Sequence, residues 1–492
     1  MKVIIDHIRL VTLFYIAFPL LPFFGGWVRL EFAIPLILLL GLGCFQYYNS
    51  LTFKENERFR KRDIWVGIAI VSFWLLFSGA GGMGFQFDDH NKNNTLTWEL
   101  SNNAWPLEYM VDGDRMYLSH YLSYYIMGPF LAGFIGYMYA QAAVFLWTGL
   151  GVFLGLFWLA RATKNFNWRF FLFVIFFGGV ALFSFVLKYK SGFMVELFAR
   201  LKSHGYVFWM NGWDVIPVNY MGITDMLYWT PQHFIPALLG VGLILNMGLI
   251  DKNIKYLPFI LSLLAMWSPL ILVGLFPFFL YVLWTNKMEG IFNYVNLIIA
   301  PLLFGVLFSY LLAIDSGELI KQFIFSYVGE RHSSLSTKIV LYFYFILFEV
   351  LVWVIPIVVL KWRKWEAGEK PLFLLTCIVL ILVPLYRFGL WNDWCTRVSV
   401  PALLVLLVYV FKTFMEEKSL RKYSLVVILI LSSLGATMDL VGSIYYSGFK
   451  PKFAPPTENQ VKTLPEICIS FPITQFVAKE NTFFFKYLAR KK

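Results

Sequence analysis

Apolar residues run through this chain in long unbroken stretches. Residues 170–187, 291–313 and 339–360 are examples. A half-buried strand would alternate every second residue, and a surface helix would show a polar stripe every three or four. Neither rhythm is present in these runs. About 20 apolar residues cross the roughly 30 Å hydrocarbon core of a bilayer as a helix. A membrane β-barrel would need alternation, so the pattern predicts helices. Placing them along the chain gives an all-α, polytopic membrane protein of about 13 spans, with 11–13 as the range. The first stretch, about 10–28, continues into a second and lacks a small-residue cleavage site, so no cleavable signal is read there.

Two stretches depart from the simple pattern. Residues 121–160 are nearly all apolar, yet two full spans there would leave Arg161, Lys164 and Arg169 on the wrong side. One span at 141–160 is expected, with 121–137 as an interfacial or re-entrant helix. Residues 257–284 are too short for two full spans but carry Trp267-Ser268-Pro269. Proline disfavours helical geometry in the residue before it. Two short helices meeting at that tripeptide are expected.

Composition agrees. The 492 residues are 59% hydrophobic, 20% aromatic and only 14% charged. Soluble domains are nearer 25% charged. The net charge of +12 would suggest nucleic acid on a soluble protein, but here its distribution matters more. Seven short loops (1–9, 50–63, 161–169, 251–256, 285–290, 361–370, 412–422) hold 21 Lys and Arg in about 65 residues. The intervening loops (29–31, 83–140, 188–233, 314–338, 386–397) hold 12 in about 144. This roughly fourfold difference in density puts the first set in the cytoplasm and predicts no nucleic-acid partner. A transmembrane region 1–446 with large exported loops at 83–140, 188–233 and 314–338 follows. A short tail, 447–492, is expected on the same exported side.

Candidate chemistry gathers in the exported loops. Five of six histidines (His90, His120, His204, His233, His332) fall there, and only His7 is cytoplasmic. The first loop opens on Ser78-Gly79-Ala80-Gly81-Gly82-Met83-Gly84 and reaches Asp88-Asp89-His90 within four residues. Paired carboxylates near a low-dielectric boundary suit a general base, or a divalent cation such as Mg or Mn. A helix cap and a solvated turn are the plainer alternative. Arg387 and Arg397 flank Trp391-Asn392-Asp393-Trp394, and a guanidinium fork suits phosphate. Interfacial snorkelling would place them equally well. Arg331-His332 is a second cationic pair. Trp213-Asp214 could stack on a sugar ring. Asp439 and Glu349 are acids inside apolar runs. The four cysteines have no metal-like spacing; Cys395 and Cys468 can pair only if both are exported.

With these residues in view, the layout resembles the GT-C glycosyltransferases, which take sugar from a polyprenyl-phosphate carrier at the non-cytoplasmic face. The resemblance rests on Asp88-Asp89 in the first large exported loop, followed by Tyr121-Leu122-Ser123-Tyr124-Tyr125-Ile126-Met127-Gly128-Pro129. Residues 84–94, Trp105-Pro106, Trp229-Thr230-Pro231-Gln232-His233 and Trp391-Asn392-Asp393 are similar to a group of bacterial membrane proteins with this layout. It covers roughly 64–400 and departs from the family in having two spans before the acidic loop. The resemblance implies Asp89, with Asp88, as catalytic acids, and Arg387, Arg397, Arg331 and His332 at donor phosphate. It further implies His90, His233, Gln232, Trp229, Asp393 and Tyr124 at substrate, a lipid-linked sugar as partner among membrane lipids, and a bacterial inner membrane as location. A transporter or flippase is the rival; it would show paired broken helices with ionisable residues at mid-depth. A non-catalytic relative in envelope assembly is a third possibility.

Overall fold

The computed structural model describes residues 2–53, 56–164, 166–180, 216–314, 319–327, 333–365, 368–389, 391–468 and 472–491, with 186, 192 and 195. Arg331, His332, His204, Trp213 and Asp214 lie outside the described residues. Seven helices are long and apolar enough to cross a membrane: Ile5–Trp27, Leu30–Asn49, Tyr137–Ala162, Pro231–Ile250, Leu335–Lys361, Trp394–Glu416 and Leu420–Tyr446. Other expected crossings fall on shorter helices, Lys61–Leu76, Trp168–Phe176, Leu257–Met266, Pro269–Thr285, Val295–Leu311 and Glu369–Leu382.

Burial ranks these helices. Pro231–Ile250 is 89% buried and stands at the centre, whereas Leu30–Asn49 and Leu420–Tyr446 are 28% and 22% buried and form the rim. Glycines let the centre close. A Cβ at Gly155 would lie 2.4 Å from Leu238 Cβ, and one at Gly242 2.5 Å from Trp158 Cβ, so Tyr137–Ala162 and Pro231–Ile250 pack backbone to backbone.

The 257–284 stretch takes the expected form, whereas of 121–137 only Met127–Ala132 is α-helical and the following long helix starts four residues earlier than expected. The helix after 121–137 begins at Tyr137, following left-handed Gly136, and is preceded by a six-residue helix, Met127–Ala132, and one 3-10 turn. The 257–284 stretch breaks at Ser268, whose hydroxyl caps the Pro269 helix by accepting from the Ile271 N–H. One expected helix is different. The continuous helix that begins in the 170–187 run, Trp168–Phe176, stops at Phe177, which is extended, and 177–180 lie outside helix. Gly178 and Gly179 explain this. A Cβ at Gly179 would collide with the Glu349 carboxyl, and Phe177 and Val180 instead bond across to Ile223 and Phe348.

Contacts divide the loops into two groups that match the charge asymmetry. In one, strand β1 (Lys2–Ile4) pairs with β2 (Asn56–Arg58). Beside them Arg9 bridges Asp6 and Asp251, and Arg161 bridges Glu57 (2.5 Å) and Asp251 (2.7 Å). Lys361–Glu416, Lys364–Glu417 and Lys412–Glu369 belong with the same set of basic loops. The other group holds a hairpin, β3 (Glu108–Val111) and β4 (Asp114–Leu118), and a ribbon of β5 (Lys321–Phe323) with β6 (Tyr386–Phe388). The tail joins this second group: β7 (Val477–Lys479) extends the hairpin through β4, and the Glu99 carboxylate accepts from the Leu464 N–H. No periodicity announces such strands of three to five residues, because long-range pairing alone makes them. Cys395 and Cys468 are unbonded thiols; Cys395 donates to the Asn219 carbonyl instead.

Candidate functional site

Three segments build the site, each positioned by a local device. The first is the glycine turn. Gly79, Gly81, Gly82 and Gly84 all have positive φ, between 57° and 86°, a region open to glycine at little cost. A Cβ at Gly81 would sit 2.2 Å from the Gln141 carbonyl oxygen. The chain is thereby turned off the Lys61–Leu76 helix and starts a new one, Asp89–Asn102, against Tyr137–Ala162. Asp88 precedes it, exposed and making no cap hydrogen bond. Asp89 is half-buried in its first turn. Lys92 follows on the same face, three residues on, where helical side chains meet.

The second segment is Trp229-Thr230-Pro231-Gln232-His233. Proline at the first helical position starts the central helix. The His233 ring is fixed from both sides: Nδ1 is 2.7 Å from the Ser268 hydroxyl and Nε2 is 3.0 Å from the Tyr121 hydroxyl. The break at Trp267-Ser268-Pro269 thus serves the site directly. Gln232 is buried beside Tyr121 but short of hydrogen-bond geometry. Trp229 stacks on Phe87, ring centroids 5.0 Å apart.

The third segment is the turn after β6. Asn392, in left-handed geometry, donates to the Pro217 carbonyl and accepts from the Cys395 N–H. This presents Asp393 and Arg397 one turn apart, 3.8 Å between charged atoms. One Arg397 nitrogen also donates to Thr230 Oγ1 at 3.3 Å and to the Met221 sulfur at 3.1 Å.

Lys92 joins the three segments electrostatically. Asp89, Arg397 and Asp393 all act on its charge, and no hydrogen bond or ion pair to a described residue holds its ammonium. Burial lowers its pKa against the pull of Asp89, with Arg397 adding repulsion. Burial raises the Asp393 carboxyl against the pull of Arg397. Asp393 nevertheless keeps 36% of its side-chain surface open, so the acid is accessible rather than sealed in the core. His120, its ring 3.7 Å from that of Tyr121 and tilted against it, is held well below the usual imidazole range by burial and then by Lys92.

Asp89, Asp393, Arg397, His233, Gln232 and Trp229 therefore share one neighbourhood. Others do not reach it. Arg387 is buried in β6 with its guanidinium 4.6 Å from the Tyr327 ring centroid. Tyr124 turns inward to Thr148, 3.0 Å away, inside the helix packing. His90 faces back along its own turn toward Gly79. Lys92 and Ser268 are not marked as site groups by the sequence pattern. The i, i+3 spacing from Asp89 was a usable signal for Lys92; nothing local marks Ser268 as a partner of His233. Among the described residues no three His, Cys, Asp or Glu side chains converge as a metal site. The two acids face Lys92 and Arg397 instead.

The buried His90 also makes a stability prediction. Burial, partly offset by the Phe87 carbonyl, brings its pKa down to about 4. A depressed imidazole is neutral in the fold and protonates more readily when unfolded. Its stabilisation is complete above about pH 6.5 and is lost as pH falls toward 4. Between pH 7 and pH 5 the native chain should lose about 2 kcal/mol more than His90→Gln. Thermal unfolding in detergent at the two pH values checks this; equal losses would refute it.

No known protein family, no curated protein and no solved structure matches this chain.

Proposed function

We propose that the chain is a glycosyltransferase of the GT-C kind, crossing a bacterial inner membrane about thirteen times, with seven of the crossings made by the long apolar helices. It moves a sugar from a polyprenyl-phosphate-linked donor to an acceptor on the non-cytoplasmic face. One arrangement carries the reading: Asp89 of the first exported loop acts electrostatically on Lys92 together with Asp393 and Arg397, which lie 3.8 Å apart. An acid beside two cations in a low-dielectric setting matches what the transfer requires. The acceptor oxygen or nitrogen attacks the anomeric carbon and gives its proton to the Asp89 carboxylate. The bond from that carbon to the phosphate oxygen breaks, and the electron pair leaves with the polyprenyl phosphate. Lys92 and Arg397 neutralise the charge that develops on this leaving group, the interaction that contributes most when donors are preorganised. Asp393 orients the Arg397 fork.

A transporter is the second reading, because Asp439 and Glu349 are fully buried inside apolar helices, and ionisable groups there are functional candidates by default. One experiment separates the two. Proteoliposomes holding the purified chain, radiolabelled polyprenyl-phosphate sugars and a membrane extract as acceptor source should release polyprenyl phosphate. Absence of release from every donor, together with counterflow of a substrate, would establish the transporter instead.

A further inference from the structure

The C-terminal segment carries basic charge that the candidate site does not use. From Thr482 to Lys491 the chain has Lys486, Arg490 and Lys491, all exposed, and no acid. The same segment presents two neighbouring, exposed aromatics, Phe483 at 63% and Tyr487 at 50%, with ring centroids 5.4 Å apart and planes tilted by 51°. Phe484 and Phe485, between them, are buried against Phe23, Tyr310 and Tyr117. One side of this short turn is therefore anchored and the other is displayed.

Its depth is set by bonds to the start of a membrane helix. The Arg29 guanidinium donates to the carbonyls of Lys486 (2.8 Å) and Ala489 (3.0 Å). The Arg490 N–H donates to the Trp27 carbonyl at 2.8 Å, and Val28 bridges Ala489. Residue 30 begins the rim helix Leu30–Asn49, whose Leu30, Phe32, Ile34 and Leu38 are 41–67% exposed and make a lipid-facing surface. The displayed aromatics thus stand level with the first residue of a span. That is headgroup depth, where amphipathic rings settle and where Lys and Arg meet lipid phosphates.

We infer that the segment Phe483–Lys491 is an interfacial anchor that binds anionic phospholipid headgroups in the leaflet on the side of the candidate site. Phe483 and Tyr487 sit at the acyl boundary, while Lys486, Arg490 and Lys491 hold headgroup phosphates. This accounts for a basic tail on the face where the loops are otherwise poor in Lys and Arg. The inference does not depend on the transferase reading.

The test uses the full chain, purified from nanodiscs of equimolar phosphatidylglycerol and phosphatidylcholine, with co-purifying lipid counted by mass spectrometry. The native chain should retain phosphatidylglycerol in preference. Combined Lys486→Glu, Arg490→Glu and Lys491→Glu should cut that preference by at least about fivefold, since each near-surface cation contributes measurably to anionic binding. Lys486→Arg with Lys491→Arg should preserve it and reports on folding. No preference in the native chain, or a preference untouched by the triple substitution, would overturn the inference. Asp89→Asn should leave lipid retention unchanged.

Discussion

Asp89→Asn should lower donor-dependent release of polyprenyl phosphate by 10²- to 10⁴-fold, the usual contribution of a positioned general base. The substitution keeps shape and hydrogen-bonding capacity but removes the proton acceptor. Asp89 sits in the first turn of its helix, so the structural cost is the loss of its interaction with the helix dipole, about 0.3–1 kcal/mol, together with its attraction for Lys92. Asp88 is the internal control. It is exposed and outside the group formed by Lys92, Asp393 and Arg397. Asp88→Asn should therefore change release by less than about threefold, as ordinary surface substitutions do. An active Asp89→Asn chain would remove Asp89 as the base. Equal losses from both substitutions would transfer the argument from one acid to the pair.

Gly81→Val should prevent accumulation of folded protein. Two costs add here. The residue has φ near 57°, which costs a β-branched side chain about 1–3 kcal/mol. Its Cβ would also lie 2.2 Å from the Gln141 carbonyl oxygen and 2.7 Å from the Phe145 nitrogen, both backbone atoms of a packed helix. Backbone cannot move aside as a side-chain tip can, so the sum should exceed about 4 kcal/mol, among the largest single-residue effects. Gly113 separates the two costs. Its φ is 89° but nothing lies within 4 Å of its Cβ position, so Gly113→Val pays only for backbone geometry. Fluorescence-detected size exclusion and thermal stability of both variants decide the matter. A folded, monodisperse Gly81→Val chain would mean that the acidic helix is not held by this turn.

The histidines illustrate how far residue type carries an argument. Five of the six lie outside the basic loops, yet they divide in role. His233 is fixed between Ser268 and Tyr121 at the site, whereas His90, next to Asp89 in the chain, points back toward Gly79. One residue along a helix turns a side chain by about 100°, so adjacency in sequence argues against a shared direction. The same geometry recovers Lys92, three residues from Asp89 and on its face.

The two arginines separate for a different reason. Arg397 follows Asp393 by one helical turn, and that spacing alone predicts the pair. Arg387 lies in a strand whose register with Lys321–Phe323 sends its guanidinium onto Tyr327. Only the partner strand determines that direction.

The sequence by itself determined the helical membrane class, the break at Trp267-Ser268-Pro269, the start of a span after the 121–137 stretch, and the two groups of loops. Each follows from local physics: unbroken apolarity needs lipid, proline interrupts a helix, and basic loops resist translocation. Tertiary structure decided what depends on residues far apart in the chain. It brought Asp89 to Asp393 and Arg397 across about 300 residues, joined the tail strand Val477–Lys479 to the first exported hairpin, and pulled 177–180 out of helix against Glu349. Such contacts are set by which faces can pack without a Cβ between them and which carbonyls lack a donor. No run of neighbouring residues contains that information.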